Sequence, residues 1–142
     1  MASLRHVLRL ATTAPIGLTD LTATVRDWVR AAGLRDGLLV VASRHTTARV
    51  TVNEREPELE RDMVAFLERL APAAAGYRHD RDTVDGRPNA HAHLLGLFLN
   101  ASETIPVVGG ALQLGDWQAL MFVELDGPRP AREVELTFLG DR

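Results

Sequence analysis

The residues with chemistry to offer crowd into Asn89-Ala-His91-Ala-His93-Leu94, where two imidazoles stand two positions apart. What they can do depends on the backbone. On a strand both rings share a face and reach one cation. His79, from the preceding segment, or a nearby carboxylate would add a further ligand, giving the nitrogen-rich set that zinc takes. On a helix the two histidines point roughly 200° apart and do not chelate one ion. The alanines, Pro88 ahead of Asn89 as a cap, and the helical spacing of Leu94, Leu95 and Phe98 favour a helix over about residues 90–99, although Gly96 weakens it. In the plain alternative, one histidine packs with its ring nitrogens hydrogen-bonded and the other is solvated.

Other candidates are scattered along the chain. His45, Thr46 and Thr47 adjoin a strand end and offer an imidazole, two hydroxyls and backbone donors to a phosphate or polar substrate. The same residues would also make a turn that satisfies its own backbone. Asn53 and Glu54 precede helix-favouring sequence, where capping is the favoured role. Asp62 projects beside Leu59 and Phe66 at the border of a buried face, so its carboxylate needs a partner, a histidine or an arginine. Gly115, Asp116, Trp117 and Gln118 form a tight turn entering a strand, with Trp117 expected in the core and Gln118 on the opposite face. Arg129, after Asp126, Gly127 and Pro128, offers a planar fork to phosphate or carboxylate, or is an ordinary exposed turn arginine.

These residues need elements to hold them. Alternation over Leu4–Leu10 predicts a strand, and Leu18, Leu21, Val25, Trp28, Val29 and Ala32 recur at helical spacing, with Thr19 as cap and Gly33 as stop. Two short strands follow at residues 38–43 and 48–53. An amphipathic helix starts at Pro57 and ends before Pro72. Residues 73–88 read as a long surface loop carrying His79. The last third reads as a meander through 105–108, 111–114 and 117–125, then a final strand around Val134, Leu136 and Phe138. Strands with helices interspersed, without strict alternation, favour an α+β domain of packed sheets with flanking helices.

Composition bounds the function. At 142 residues, 46% hydrophobic and 25% charged, the chain has the size and make-up of one globular domain. A formal charge of -3 argues against nucleic-acid binding through phosphate neutralisation. No cysteines are present, which removes disulfides, thiolate zinc sites and cysteine nucleophiles. Arg5, His6 and Arg9 interrupt the start, no apolar run is long enough to span a membrane, and the cytoplasm is the expected compartment. There is no phosphate-binding glycine fingerprint, metalloprotease motif or nucleophile elbow.

Taken together and in order, His45-Thr-Thr-Ala48, Asn53-Glu54, Asp62, Gly76-Tyr-Arg-His79, Asn89-Ala-His-Ala-His-Leu94, Ile105-Pro-Val107, Leu114-Gly-Asp-Trp-Gln118 and Glu124-Leu-Asp-Gly-Pro-Arg129 resemble the YjbQ family over nearly the whole chain. The resemblance implies an α+β fold of packed mixed or antiparallel sheets, a homotrimer, and a secondary thiamine-phosphate synthase activity. That activity joins hydroxymethylpyrimidine diphosphate to thiazole phosphate and releases diphosphate. On the matching positions it implies His45, Glu54, Asp62 and His91 as catalytic groups. Thr46, Thr47, Asn53, Asn89, Trp117, Gln118 and Arg129 fall to substrate binding, and His79, His91 and His93 to a divalent metal, magnesium or zinc. Two departures from the family pattern stand out: Asp116 stands where threonine is expected, and Pro130 and Ala131 separate Arg129 from Arg132.

Three readings follow. The first is alkyl transfer on a phosphorylated heterocycle, with diphosphate leaving as Arg129, histidines and a cation stabilise its charge. The second is a hydrolase or lyase in which His79, His91 and His93 hold the metal and Glu54 or Asp62 is the base. The third is a non-catalytic small-molecule or metal binding protein that uses the same polar groups.

Overall fold

The computed structural model describes residues 1–142 as eight strands and three helices. Five strands form one sheet in the order β1 (Ala2–Thr12), β8 (Arg129–Gly140), β3 (Gly37–Ser43), β5 (Ser102–Val108) and β6 (Ala111–Leu112). The second sheet has the order β2 (Gly17–Asp20), β7 (Gln118–Glu124) and β4 (Ala48–Glu54). Every pairing is antiparallel, so the α+β expectation holds and the sheets are antiparallel rather than mixed. No helix is long and apolar enough to cross a membrane.

The larger core lies between the two sheets and α1 (Thr22–Ala31). It is built from Val25, Val29, Leu39, Val41, Val50, Leu120, Phe122, Leu136 and Phe138. A smaller core lies on the other face of the three-stranded sheet, where Val123 and Leu125 meet Leu67 of α2 (Pro57–Leu70) and Ala92 and Leu95 of α3 (Ala90–Leu95). Because β7 is covered on both faces, it reads as an unbroken apolar run and not as an alternation.

Sequence and structure agree best on α2. Glu56 caps it, accepting from the N–H groups of Glu58 and Leu59 at 3.0 and 2.7 Å, and Pro57 sits at the start, where a missing N–H does no harm. Three expectations change. The first helix starts at Thr22, because Gly17–Asp20 pairs with β7 as β2, a tertiary contact that overrides the helical spacing at Leu18. The meander breaks after β6, since β7 joins the other sheet. Residues 73–88 are not all loop: Arg78–Arg81 forms a 3-10 turn, and the Asp80 carboxylate accepts from the Ala90 N–H at 2.9 Å, tying that turn to the start of α3.

Candidate functional site

Four segments converge on a cleft of about 240 Å³ lined by Thr46, Thr47, His79, Val84, Asp85, Asn89, His93 and Arg129. Thr46 and Thr47 come from the turn between β3 and β4. Arg49 holds that turn against the end of α3, donating to the carbonyls of His45 at 2.7 Å and Gly96 at 3.2 Å. Asn89 and His93 come from α3 and its N-terminal flank, His79 from the 3-10 turn, and Arg129 from the first residue of β8. The rings of His79 and His93 meet edge to face with centroids 5.1 Å apart. Beyond them lies a second, largely apolar recess of about 530 Å³ lined by Tyr77, Arg78, Ala90 and Leu94, with both histidines as its shared wall.

Asp126 organises the polar cleft. Its side chain is nearly buried, and its carboxylate accepts from Arg87 Nε and Nη2 at 3.1 and 2.9 Å, from Asn89 Nδ2 at 2.8 Å and from Arg129 Nη2 at 2.7 Å. Burial pushes this carboxyl upward. The donors from Arg87, Asn89 and Arg129 outweigh it and hold Asp126 well below the usual carboxylate range. With Asp85 also lining the cleft, the formal charges of Arg87, Arg129, Asp85 and Asp126 cancel. Attraction for an anion therefore rests on the histidines, the threonine hydroxyls and the guanidinium edges not used by Asp126.

A second network lies just behind. Arg132 and Glu124 form a buried ion pair at 2.8 Å (Nε) and 2.5 Å (Nη2), only 4% and 2% exposed. Glu124 also accepts from Thr12 Oγ1 at 2.8 Å and from the N–H groups of Leu125 and Asp126 at 3.0 and 2.9 Å. Burial raises its carboxyl and these donors lower it further, so Glu124 is held below its ordinary value. Arg132 Nη2 also donates to Thr47 Oγ1 at 3.1 Å, fixing one wall of the cleft.

His45 is tied into this network through its Nε2. Its Nε2 accepts from the Glu133 N–H at 2.9 Å, which requires a lone pair there and puts the ring proton on Nδ1. Burial and then Arg132 hold its pKa below the ordinary histidine value. The lone pair that a base would need is already engaged.

The structure brings together Thr46, Thr47, His79, Asn89, His93 and Arg129. It leaves Asn53, Glu54, Trp117 and Gln118 at the far end of β4 and β7, where Glu54 pairs with Gln118, six residues or roughly 20 Å from the Ala48 and Glu124 pairing. Asn53 and Glu54 do not cap α2; Glu56 does. Trp117 is 77% exposed, against the expectation that it enters the core, because the turn stops short of β7. Asp62 lies exposed on α2 with no side-chain partner, so it steadies no histidine in this chain.

The expected metal set is not assembled. Because α3 is a helix, His91 and His93 diverge, and His91 Nδ1 is buried without a partner. No group of three His, Asp or Glu side chains is arranged to hold a metal ion. The residues present do not fit a magnesium or zinc site within one chain.

Glu124, Asp126, Arg87 and Arg132 were missed as site residues. For the Glu124–Arg132 pair the signal lies in the run Ala119–Leu125, where an acid inside a buried strand demands a buried cation close by; Asp126 and Arg87 carry no such local signal.

Burial, and then the His79 imidazole, lower the pKa of His93, while Asp126 and Asp85 act against them. Both His45 and His93 thus bind protons less readily folded than unfolded. Their contribution to stability is complete above about pH 6.5 and declines as pH falls through their lowered folded values. Melting temperature is expected to fall steadily from pH 7 toward pH 5, and to fall less in a His93→Gln variant; a flat profile across that window would contradict the assignment.

The sequence matches the model of the family described as UPF0047 protein YjbQ-like over residues 6–141. A UPF0047 protein of Methanothermobacter thermautotrophicus is 40% identical over 125 residues, covering 88% of this chain and 85% of that one. The UPF0047 protein YugU of Bacillus subtilis is 32% identical, covering 86% and 89%. Among solved structures, a hypothetical protein from Aeropyrum pernix K1 superposes with a TM-score of 0.89 at 41% identity, covering 97% of this chain and 99% of that one. A YbjQ-like protein of unknown function from Sulfolobus solfataricus P2 gives 0.91 at 31% identity, covering 99% of each. With the fold, the motifs and the coverage in agreement, the chain belongs to the YjbQ family.

Proposed function

We propose that the cleft binds the diphosphate of a phosphorylated heterocycle and that the chain is an alkyltransferase of the secondary thiamine-phosphate synthase kind. In that reaction the bond from the pyrimidine's methylene carbon to the ester oxygen of the diphosphate breaks, and its electron pair leaves with diphosphate. The thiazole nitrogen's lone pair forms the new carbon–nitrogen bond. No proton moves, so no general base is needed, and the distance of Glu54 and Asp62 from the cleft does not count against the chemistry. What the reaction needs is stabilisation of a departing anion.

The observation that carries this reading is the convergence of Thr46, Thr47, His79, Asn89, His93 and Arg129 on one cleft. The apolar recess beside it, with Tyr77 and Leu94, takes the ring. No step is routed through a protein-held metal, and the hydrolase reading that required His79, His91 and His93 to share one falls away with that triad. The family's homotrimer is part of the proposal; Leu97, Phe98 and Trp117, at 79%, 69% and 77% exposed, are the large apolar side chains such an assembly would cover. Sedimentation at monomer mass would remove it.

The test is product formation from hydroxymethylpyrimidine diphosphate and thiazole phosphate with added Mg²⁺, read by chromatography, beside calorimetric binding of inorganic diphosphate. His93→Ala and Thr46→Val are expected to lower kcat/KM by about tenfold or more each, the size of a lost charge-assisted contact. Wild-type protein that binds diphosphate but forms no product would leave a binding protein in place of an enzyme.

A further inference from the structure

We infer that Asn89 is a positioning residue that locks the His79 proton on Nε2, so that Nδ1 is the atom His79 offers as an acceptor to a protonated phosphate oxygen in the cleft. The argument runs through donors and acceptors. The Asp126 carboxylate only accepts, and it takes the Asn89 amide N–H at 2.8 Å, which fixes which end of that amide is nitrogen. The other end, Oδ1, lies 3.0 Å from His79 Nε2. An amide oxygen cannot donate, so the hydrogen between them belongs to His79. Arg87 and Arg129 keep Asp126 ionised, which holds the whole chain of bonds in one sense.

The Asn89 bond therefore occupies Nε2 and leaves Nδ1 as the lone-pair nitrogen of the His79 ring. A monoprotonated phosphate entering the cleft donates its O–H to Nδ1, a hydrogen bond in which no covalent bond breaks. His93 from α3 contacts this ring, Asp85 from the loop and Arg129 from β8 line the same cleft, and Tyr77, Arg78 and Asp80 neighbour it along the chain. His93, whose pKa burial and then the His79 imidazole lower, meets the His79 ring edge to face. The bond arrangement stands on geometry; only the contact with an anion rests on the reading of the cleft given above.

His45 supplies an internal reference, because its own bond to the Glu133 N–H demands the opposite tautomer, with the proton on Nδ1. Long-range ¹H–¹⁵N spectra of histidine-labelled protein, assigned with His79→Asn and His45→Asn variants, should show the two rings in opposite forms at pH 8. Free imidazole in water already favours Nε2–H, so the tautomer alone does not discriminate. The discriminating signal is a slowly exchanging Nε2 proton on His79 that disappears in Asn89→Leu. Inorganic diphosphate should shift the Nδ1 resonance, and Asn89→Leu should weaken diphosphate binding about tenfold. A His79 ring protonated only at Nδ1 at pH 8, or an Nε2 proton unaffected by Asn89→Leu, overturns the positioning role; an Nδ1 resonance unchanged by diphosphate overturns the contact with an anion. Should Asn89→Leu fail to fold, Asn89→Ser, which leaves a hydroxyl too short to span both partners, replaces it. If the spectra agree and no thiamine phosphate forms, the transferase reading fails and this inference stands.

Discussion

Replacing Glu124 by alanine is expected to destabilise the chain by about 3–5 kcal/mol, the penalty for leaving a buried guanidinium without its counter-charge. Arg132 would retain only Thr47 as a partner, inside a space where it is 4% exposed. The N–H groups of Leu125 and Asp126 and the Thr12 hydroxyl would lose their acceptor as well. For a domain of this size the loss corresponds to a drop in melting temperature of roughly 10–15 °C. The double variant Glu124→Met with Arg132→Met removes the unpaired charge and should recover more than half of the loss, since apolar replacement of a buried pair is often close to neutral. A single-variant loss below about 1 kcal/mol in urea titration would mean that water reaches the pair.

The second large effect is expected at Asp126. Asp126→Asn keeps the shape but turns a pure acceptor into a group with two N–H donors of its own, facing Arg87, Arg129 and the Asn89 amide. A loss of about 2–4 kcal/mol is expected, somewhat less than at Glu124 because Arg87 and Arg129 are partly exposed and can turn to solvent. The pH dependence has a definite sign. The folded carboxyl is held below its unfolded value, so the difference between wild type and variant should be constant above about pH 4–5 and narrow as the pH falls further. Denaturant titrations of both proteins at pH 7 and pH 3.5 check this; a gap that widens in acid would reverse the assignment.

Local signals were enough wherever an element is defined by its own residues. Pro57 and Pro72 bracket α2, and the alternation at Val134, Leu136 and Phe138 marks a strand with one buried face. Helical spacing at Leu94 and Leu95 decided correctly for α3, and with it against a two-histidine chelate. Signals failed where a distant partner decides. β2 is a strand because β7 lies beside it, and β6 and β7 part because the chain changes sheets, neither of which is written in four or five residues. At the site, Thr46, Thr47, His79, Asn89, His93 and Arg129 are all legible from residue type and motif, but their organiser, Asp126, reads locally only as part of a turn. The residues assigned as acids or bases, His45, Glu54, Asp62 and His91, were chosen by type. Their engagement or isolation depends on packing: Glu133 occupies His45, and the full length of β4 removes Glu54.

The pairing of β1 with β8 joins Ala2 to Gly140 and runs to Thr12 with Arg129. On the ribosome, β1 emerges well before β8, so at about 5–20 residues per second the strand waits on the order of ten seconds for its hydrogen bonds. A waiting strand is a template for misassembly with other nascent chains. Arg5 and Arg9, which later meet Glu135 and Glu133 across the finished ladder, keep it charged meanwhile, and like strands from neighbouring chains repel. The same separation makes this a high-contact-order fold, in which the costly closure of the whole chain comes late and sets the pace of refolding.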